Sequence, residues 1–174
     1  MSPKPVIMSY MNLNHTKFGE LEAFNVIIEI PQGSNQKFEI DEATGEMKVN
    51  FVFKNLVFPF NYGFIPQTLG GDGDTLDAIV ISSKVIPSAS VVQCKTIGIL
   101  KTIDRGEVDD KVICVPLNDP LAKKYNDITD LPTDSFEKWK ELYLEIGRQK
   151  NKHIEITTLA NKEEALKEIK NSLK

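Results

Sequence analysis

Three aspartates follow a glycine-rich turn near the middle of the chain. The stretch Gly-Gly-Asp-Gly-Asp-Thr-Leu-Asp places Asp72, Asp74 and Asp77 at positions i, i+2 and i+5, where an apolar run begins. Neighbouring carboxylates repel each other by roughly 1 kcal/mol per pair in a water-like dielectric, so a fold that keeps them together usually supplies cations. Oxygen ligands alone favour Mg²⁺, Mn²⁺ or Ca²⁺. A solvated turn is the alternative, because Asp and Gly are common turn residues.

Two well-known loops of similar composition do not fit this stretch. An EF-hand needs glycine at its sixth position and glutamate at its twelfth, where this chain has Asp77 and Ser83. A phosphate-binding P-loop needs Gly-Lys-Ser/Thr after its glycines, and no such triplet follows here.

A second acidic group lies in the loop TIDRGEVDDK. Its members are Asp104, Glu107, Asp109 and Asp110. Such loops are usually just exposed, but if the fold brings this one beside residues 72–77, the two loops could hold several Mg²⁺ ions in one cleft. Glu29 and Glu39 run alongside, with Lys37 between them. Lys37 and Glu39 share one strand face, so an ion pair and a shared cleft wall are equally natural.

The elements that must position these residues are short strands followed by helices. Apolar runs bounded by Pro, Gly and Asp predict strands at 25–30, 37–40, 46–53, 76–81, 91–100 and 111–115. Short strands with irregular loops favour a barrel. We therefore predict a mainly β fold with flanking helices, in which a β-rich front is followed by a helical tail.

Two helices are predicted in the tail. The first starts at Asp134, with Glu137 three residues later, and its core-facing stripe is Phe136, Trp139, Tyr143 and Ile146. The second starts at Asn161, with Glu164 three residues later, and its apolar face is Leu166, Ile169 and Leu173. Both are expected to pack on the barrel.

Composition predicts one ordinary globular domain over residues 1–174. The chain is 41% apolar and 26% charged, with a net charge of −4. The acidic balance and the scattered Lys and Arg argue against a nucleic-acid partner. No membrane-spanning run and no signal-peptide core are present, so we expect a cytoplasmic protein without a membrane partner. Residues 1–20 are predicted to form an N-terminal extension or an oligomer contact.

Histidine and cysteine chemistry is not indicated. His15 and His153 lie far apart in unlike contexts, which leaves little material for a zinc site or a Ser/His/Asp triad. Cys94 and Cys114 lie inside strand-like runs and are predicted to be buried thiols rather than a disulfide.

The stretch DGDTLDAIV at 72–80 resembles the signature of the family I soluble inorganic pyrophosphatases, Asp-x-Asp-x-x-Asp followed by apolar residues. Similar segments occur in the order and near the spacing of that family, and the resemblance covers roughly residues 24–173. These segments are IEIP at 28–31, KFEID at 37–41, FPFNYGFIP at 58–66, GILKTID at 98–104 and DDKVICVP at 109–116. The resemblance implies a five-stranded OB-like β-barrel with C-terminal helices, Mg²⁺ dependence with Mn²⁺ as a second candidate, pyrophosphate as substrate, and a homo-hexamer.

The resemblance also implies roles for single residues. Asp74 matches the carboxylate that accepts a proton from the attacking water. The matched metal ligands are Asp72, Asp77, Asp104 and Asp109. The matched phosphate-binding residues are Lys37, Tyr62, Lys111 and Tyr143. Glu29 and Glu39 match acidic residues that line the cleft.

This chain departs from the family pattern where cations are expected. No arginine occurs near Phe51, Leu144 stands where the family has lysine, and Arg105 stands where an acidic residue is frequent. Each lost charge-assisted hydrogen bond would cost roughly 1.5–3 kcal/mol, about ten- to a hundredfold in rate. The alternative function is therefore a divergent member that binds metal and pyrophosphate or polyphosphate with little turnover. Lys54 or Arg105 is predicted to substitute from a shifted position.

Overall fold

The computed structural model of the protein describes residues 13, 15–41, 44 and 46–174. Most of the predicted N-terminal extension, residues 1–12 and 14, lies outside the described residues. The described strands are β1 (Gly19–Glu20), β2 (Ala23–Ile30), β3 (Gln36–Ile40), β4 (Met47–Val52), β5 (Asn61–Ile65), β6 (Leu76–Val80), β7 (Val91–Asp104), β8 (Glu107–Val108), β9 (Lys111–Pro116) and β10 (Ile154–Asn161). The described helices are α1 (Leu121–Lys124), a 3₁₀ turn (Ile128–Asp130), α2 (Ser135–Lys150) and α3 (Lys162–Ser172).

Five strands close into a barrel in the order β2-β5-β6-β9-β7, and β7 pairs back onto β2. The β6–β9 pairing is parallel and the other barrel pairings are antiparallel. Strand β7 can reach β2, β9 and β10 because a register shift between Thr96 and Gly98 lets it bend. The predicted five-stranded barrel with C-terminal helices is confirmed.

The barrel strands are apolar on both faces because helices cover them outside. Along β6, Ala78 and Val80 pack in one cluster with Ala165 and Ile169 of α3. Ile79, between them, packs in a second cluster that includes aromatic residues of α2. The run Ala-Ile-Val at 78–80 is therefore continuously apolar instead of alternating. Cys94 and Cys114 are buried and free, as predicted.

The β3–β4 hairpin forms a separate two-stranded sheet beside the barrel. Lys37 and Phe51 are Cα partners across it, and a register shift follows between Lys37 and Phe38. The hairpin is mostly half-buried or exposed, so it forms a wall at the barrel surface instead of part of the core.

The tail departs from the prediction in three places. It is not purely helical, because β10 pairs with β7 between the two long helices. Helix α2 begins after Asp134 as predicted, but the Asp134 side chain makes no capping bond and pairs instead with Lys138 at 3.0 Å. Leu173 is not on the apolar face of α3: the helix ends at Ser172, and Leu173 is extended and 40% exposed.

The start of α3 and the core-facing stripe of α2 are confirmed, but Ala165, and not the predicted Leu166, is buried beside Ile169 on α3. The Asn161 side chain accepts a hydrogen bond from the Glu164 N–H at 3.1 Å, which caps α3. Trp139, Tyr143 and Ile146 are buried along α2.

The sequence patterns did not predict one further barrel strand, β5. It lies within FPFNYGFIP, whose aromatic residues and prolines obscure the strand pattern. No helix in the described part of the chain has the length and apolarity needed to cross a membrane.

Candidate active site

A cleft of about 910 Å³ opens where the barrel, the β3–β4 hairpin and α2 meet. All eleven residues to which the family resemblance assigns a role line it. They are Glu29, Lys37, Glu39, Tyr62, Asp72, Asp74, Asp77, Asp104, Asp109, Lys111 and Tyr143. They come from the hairpin, the barrel strands and a helix, so a single fold brings segments distant in sequence to one place.

The aspartate loop enters the cleft through a tight turn. Gly73 adopts φ +85°, a left-handed conformation that glycine accepts without strain. The Gly70 N–H donates to the Asp74 carbonyl at 2.6 Å, and the Asp74 N–H donates to Asp72 Oδ1 at 3.0 Å. These bonds hold Asp72 against the loop and leave Asp74 exposed at the mouth of the cleft.

Lys111 is the buried cation at the centre of the cleft. Parallel pairing of β6 with β9 sets Asp77 opposite Lys111. Lys111 Nζ lies 3.3 Å from Asp77 Oδ2 and 3.0 Å from Asp109 Oδ2. The Tyr62 hydroxyl donates to the same Asp77 oxygen at 2.6 Å. One ammonium group therefore serves two carboxylates.

Burial and the neighbouring charges shift the pKa values of this cluster in opposite directions. Burial raises the pKa of Asp77, Lys111 opposes the rise, and Asp109 adds to it. Burial and Asp109 likewise raise the pKa of Asp72, whereas the hydrogen bond from the Asp74 N–H lowers it. For Asp109 burial is outweighed by Lys111, which lowers the pKa. Against the effect of burial, Asp77 and Asp109 raise the pKa of Lys111, so it remains charged.

Asp104 lies between two cations. Lys152 Nζ is 2.6 Å from Asp104 Oδ2, and Arg105 Nε is 3.2 Å from Asp104 Oδ1. Arg105 lines the cleft, but its charge is directed at Asp104. A metal ion on this carboxylate would have to share it with these side chains.

The β3–β4 hairpin supplies a mixed wall. Lys37 Nζ pairs with Glu39 Oε1 at 3.1 Å, so both of the open alternatives hold: the two form an ion pair and line the cleft. Although burial opposes it, the Glu39 carboxylate raises the pKa of Lys37. Burial and Asp77 raise the pKa of Glu29 well above its usual range. A nearby cation would favour the ionised form of Glu29.

Two residues that line the cleft carry buried hydroxyls that meet no hydrogen-bond geometry within the described residues, although one of them lies beside the Tyr62 side chain. These hydroxyls belong to Tyr143 and Thr102, and both side chains are buried. A buried hydroxyl that has no partner is rare in folded proteins and is commonly explained by a ligand or water. The Lys111 ammonium lies 5.4 Å from the Tyr143 ring centroid, so this hydroxyl borders the charged cluster.

The donor set fits hard divalent cations. It consists of carboxylate oxygens, which Mg²⁺ and Mn²⁺ prefer, and repulsion from Asp109 contributes to the raised pKa values of Asp72 and Asp77. Within the described residues, no three His, Cys, Asp or Glu side chains converge in a geometry that could hold a metal. The reason is visible in the contacts: Asp77 and Asp109 turn toward Lys111, and Asp104 turns toward Lys152.

Sequence reasoning missed two lysines of the cleft, Lys150 and Lys152. They lie in the run Arg-Gln-Lys-Asn-Lys at the end of α2, which has the composition of a solvated helix terminus.

Lys54, by contrast, is exposed and does not line the cleft. Its backbone is tied to the Gln149 side chain at 2.9 and 2.8 Å. Lys54 is thus not the substitute for the missing arginine.

Comparison with known proteins identifies the family. The sequence profile of the inorganic pyrophosphatase family matches residues 26–174. The inorganic pyrophosphatase of Gluconobacter oxydans is 39% identical over 159 residues, covering 86% of this chain and 88% of that protein. The soluble inorganic pyrophosphatase of Oryza sativa subsp. indica is 35% identical over 156 residues, covering 89% and 73%.

Solved structures agree with these sequences. The inorganic pyrophosphatase of Thermus thermophilus superposes with a TM-score of 0.87 at 31% identity, covering 93% of this chain and 97% of that one. The Helicobacter pylori enzyme gives a TM-score of 0.83 at 34% identity, covering 88% and 93%. With a barrel, a carboxylate-lined cleft and these similarities together, the chain belongs to the family of soluble inorganic pyrophosphatases.

Proposed function

We propose that this protein hydrolyses pyrophosphate to two phosphates by direct attack of water, with Asp74 as the general base. The observation that carries the proposal is the single cleft in which all eleven matched residues meet. Pyrophosphate is highly anionic, so its hydrolysis requires cations around the phosphates, a base for the water proton, and donors to the leaving group. The cleft contains side chains suited to each of these tasks.

Asp74 is suited to accept the proton. It is exposed at the mouth of the cleft, and no ion pair engages its carboxylate within the described chain. Its backbone is fixed by the bonds to Gly70 and Asp72, so the side chain is positioned without being neutralised. A general base must be within reach of the water it deprotonates and must be ionised to act.

Asp72, Asp77, Asp104 and Asp109 are proposed to hold Mg²⁺, with Mn²⁺ as a second candidate. Bound there, the ions would neutralise phosphate charge and lower the pKa of a coordinated water. Glu29 and Glu39 would add negative charge at the edge of the same site. Lys37, Tyr62, Lys111 and Tyr143 are proposed to donate hydrogen bonds to phosphate oxygens.

Lys111 and Tyr143 differ in the contacts that each would have to give up to bind a phosphate oxygen. The Tyr143 hydroxyl is buried beside Tyr62 and bonds to no carboxylate of the described residues, so a phosphate would not compete with a charged partner for it. Lys111 has three donors, and its contacts are Asp77 Oδ2, Asp109 Oδ2 and the Asp109 carbonyl. Its donation to phosphate requires the aspartates to turn toward another cation, which fits their role as metal ligands.

The alternative, a member that binds metal and pyrophosphate with little turnover, is not favoured. It was motivated by the missing arginine and by Leu144, which is 59% exposed and outside the cleft. The base, the carboxylates and the phosphate donors are present in the cleft, and they supply the larger electrostatic contribution.

Two variants separate the roles of the aspartates. Asp74→Asn should leave Mg²⁺ affinity within about threefold of wild type while turnover falls by at least about a hundredfold, the size expected for a general base. Asp77→Asn should weaken Mg²⁺ binding itself. Calorimetric Mg²⁺ titrations beside steady-state phosphate release measure both quantities. Full turnover in Asp74→Asn would contradict the assigned base.

The cellular setting is proposed from the resemblance. We propose a cytoplasmic homo-hexamer with pyrophosphate as its partner, and with neither nucleic acid nor membrane bound. The scattered basic residues and the acidic net charge of −4 support the second part. Light scattering after size-exclusion chromatography measures the mass. A monomer mass near 19.6 kDa would contradict the hexamer.

A further inference from the structure

We propose that Lys150 is a phosphate-binding residue, which with Lys37 takes the place of the arginine that this chain lacks. The inference rests on the proposed pyrophosphatase function and adds to it a residue that no matched motif contains. It concerns the wall of the cleft formed by the β3–β4 hairpin and the last turn of α2.

The position of Lys150 follows from the helix. Tyr143 and Lys150 are seven residues apart, about two helical turns, so they project from the same face of α2. Both line the cleft, together with Ile146 between them. Lys150 is in the last turn of the helix, where the unpaired carbonyl groups favour a cation.

A phenylalanine directs the lysine toward the hairpin. Lys150 Nζ lies over the Phe51 ring, 5.7 Å from its centroid. Phe51 lies in β4, and the family resemblance predicts an arginine near this strand. Phe51 is also the Cα partner of Lys37 across the hairpin. A helix lysine thus brings positive charge to the position where the strand provides none.

Two lysine side chains approach each other on this wall of the cleft. The Lys37 side chain lowers the pKa of Lys150, and Glu39, the ion-pair partner of Lys37, acts on both lysines. Lys37 pairs with Glu39, Lys111 with Asp77 and Asp109, and Lys152 with Asp104. Among these cleft lysines, Lys150 alone forms no ion pair with a carboxylate of the described residues. Its charge is therefore available to a ligand.

An anionic ligand would relieve this arrangement. Like charges at contact repel, and a phosphate group between them accepts hydrogen bonds from both. Burial, Lys37 and Lys152 lower the pKa of Lys150 to about 8, while Glu39 opposes the shift. A phosphate bound beside Lys150 would attract its charged form and raise that pKa again.

The test compares Lys150→Met with Lys140→Met by calorimetric binding of methylenediphosphonate, a non-hydrolysable pyrophosphate analogue, in saturating Mg²⁺. Lys140 is a matched control, because it lies on the same helix and stacks on Phe136 at 5.5 Å, outside the cleft. Lys150→Met should weaken binding about ten- to a hundredfold, as expected for loss of a charge-assisted hydrogen bond, and Lys140→Met should not change it.

Two further measurements distinguish a binding role from a packing role. Lys150→Arg keeps the charge and should bind within about threefold of wild type. Near pH 8 to 9, the wild-type protein should take up more protons than Lys150→Met when it binds the diphosphonate. The difference is measured by comparing binding enthalpies in buffers with different ionisation enthalpies. A loss as large in Lys150→Arg as in Lys150→Met would assign the effect to packing and overturn the inference.

The outcomes separate this inference from the proposed function. Equal affinity of wild type and Lys150→Met for the diphosphonate would overturn the role of Lys150 alone. Wild-type protein that neither binds the diphosphonate nor releases phosphate from pyrophosphate would overturn the proposed function and this inference with it.

Discussion

Lys111→Met removes the buried ammonium group that two half-buried carboxylates share. Lys111 is 3% exposed, and its Nζ lies 3.0 Å from Asp109 and 3.3 Å from Asp77. Methionine preserves the apolar stem but leaves both carboxylates without this cation. Removing one partner of a buried ion pair typically costs about 3–5 kcal/mol, because the other charge stays buried and unpaired.

We therefore expect the metal-free variant to lose about 3–5 kcal/mol of unfolding free energy at pH 8. For a chain of this size each kcal/mol corresponds to about 2–4 °C, so the melting temperature should fall by about 6–20 °C. Mg²⁺ should restore more stability in the variant than it adds to wild type, because its carboxylates no longer face a lysine. A ligand at a hundred times its Kd stabilises by about 2.7 kcal/mol.

Calorimetric melting in a chelator and in Mg²⁺ measures both effects. The control is Lys138→Met, which removes an exposed pair with Asp134 and should barely change the melting temperature. A Lys111→Met protein that melts within about 2 °C of wild type in the chelator would refute the energetic reasoning. An equal gain from Mg²⁺ in both proteins would refute the assignment of Asp77 and Asp109 as its ligands.

Three more predictions follow from single contacts. Glu29→Gln should raise the metal-free melting temperature at pH 8 but not at pH 4. Because the pKa of Glu29 is raised in the folded state, the protein loses stability as the pH rises through that pKa, and glutamine removes this loss. Melting curves at the two pH values check the sign. Gly63→Ala should lower the free energy of unfolding by at least about 2 kcal/mol, because the added Cβ would lie 1.9 Å from the Ile27 carbonyl oxygen. Urea unfolding measures this, and an unchanged midpoint of the urea transition would contradict the close packing at Gly63. Tyr143→Phe should weaken diphosphonate binding about two- to tenfold, because it removes a proposed phosphate donor and keeps the ring beside Lys111; unchanged binding would contradict that role.

The residues of the site were predictable where the chemistry is local. Asp72, Asp74 and Asp77 lie within six residues of sequence, and charge repulsion alone marks that loop as unusual. The gathering of Asp104, Asp109 and Lys111 beside it depends on the parallel β6–β9 register, which no local pattern contains. The resemblance to a family, instead of spacing, connected these loops before the fold was known.

What the sequence did not reveal has physical causes. Lys150 and Lys152 resemble any solvated lysines at a helix end, and only the path of α2 past the hairpin turns them into the cleft. Strand β10 escaped prediction because most of its residues are half-buried or exposed, which weakens the apolar signal of a strand. Leu173 fits the helical spacing but lies beyond the residue at which α3 ends.

Phosphate release from pyrophosphate, titrated with Mg²⁺ and then with Mn²⁺, tests the central claim most directly. We predict rapid release that depends on the metal and is abolished by chelation, with the cleft residues compensating for the missing arginine. Tight binding of Mg²⁺ and pyrophosphate without release of phosphate would contradict the account and favour a binding protein built on the same fold.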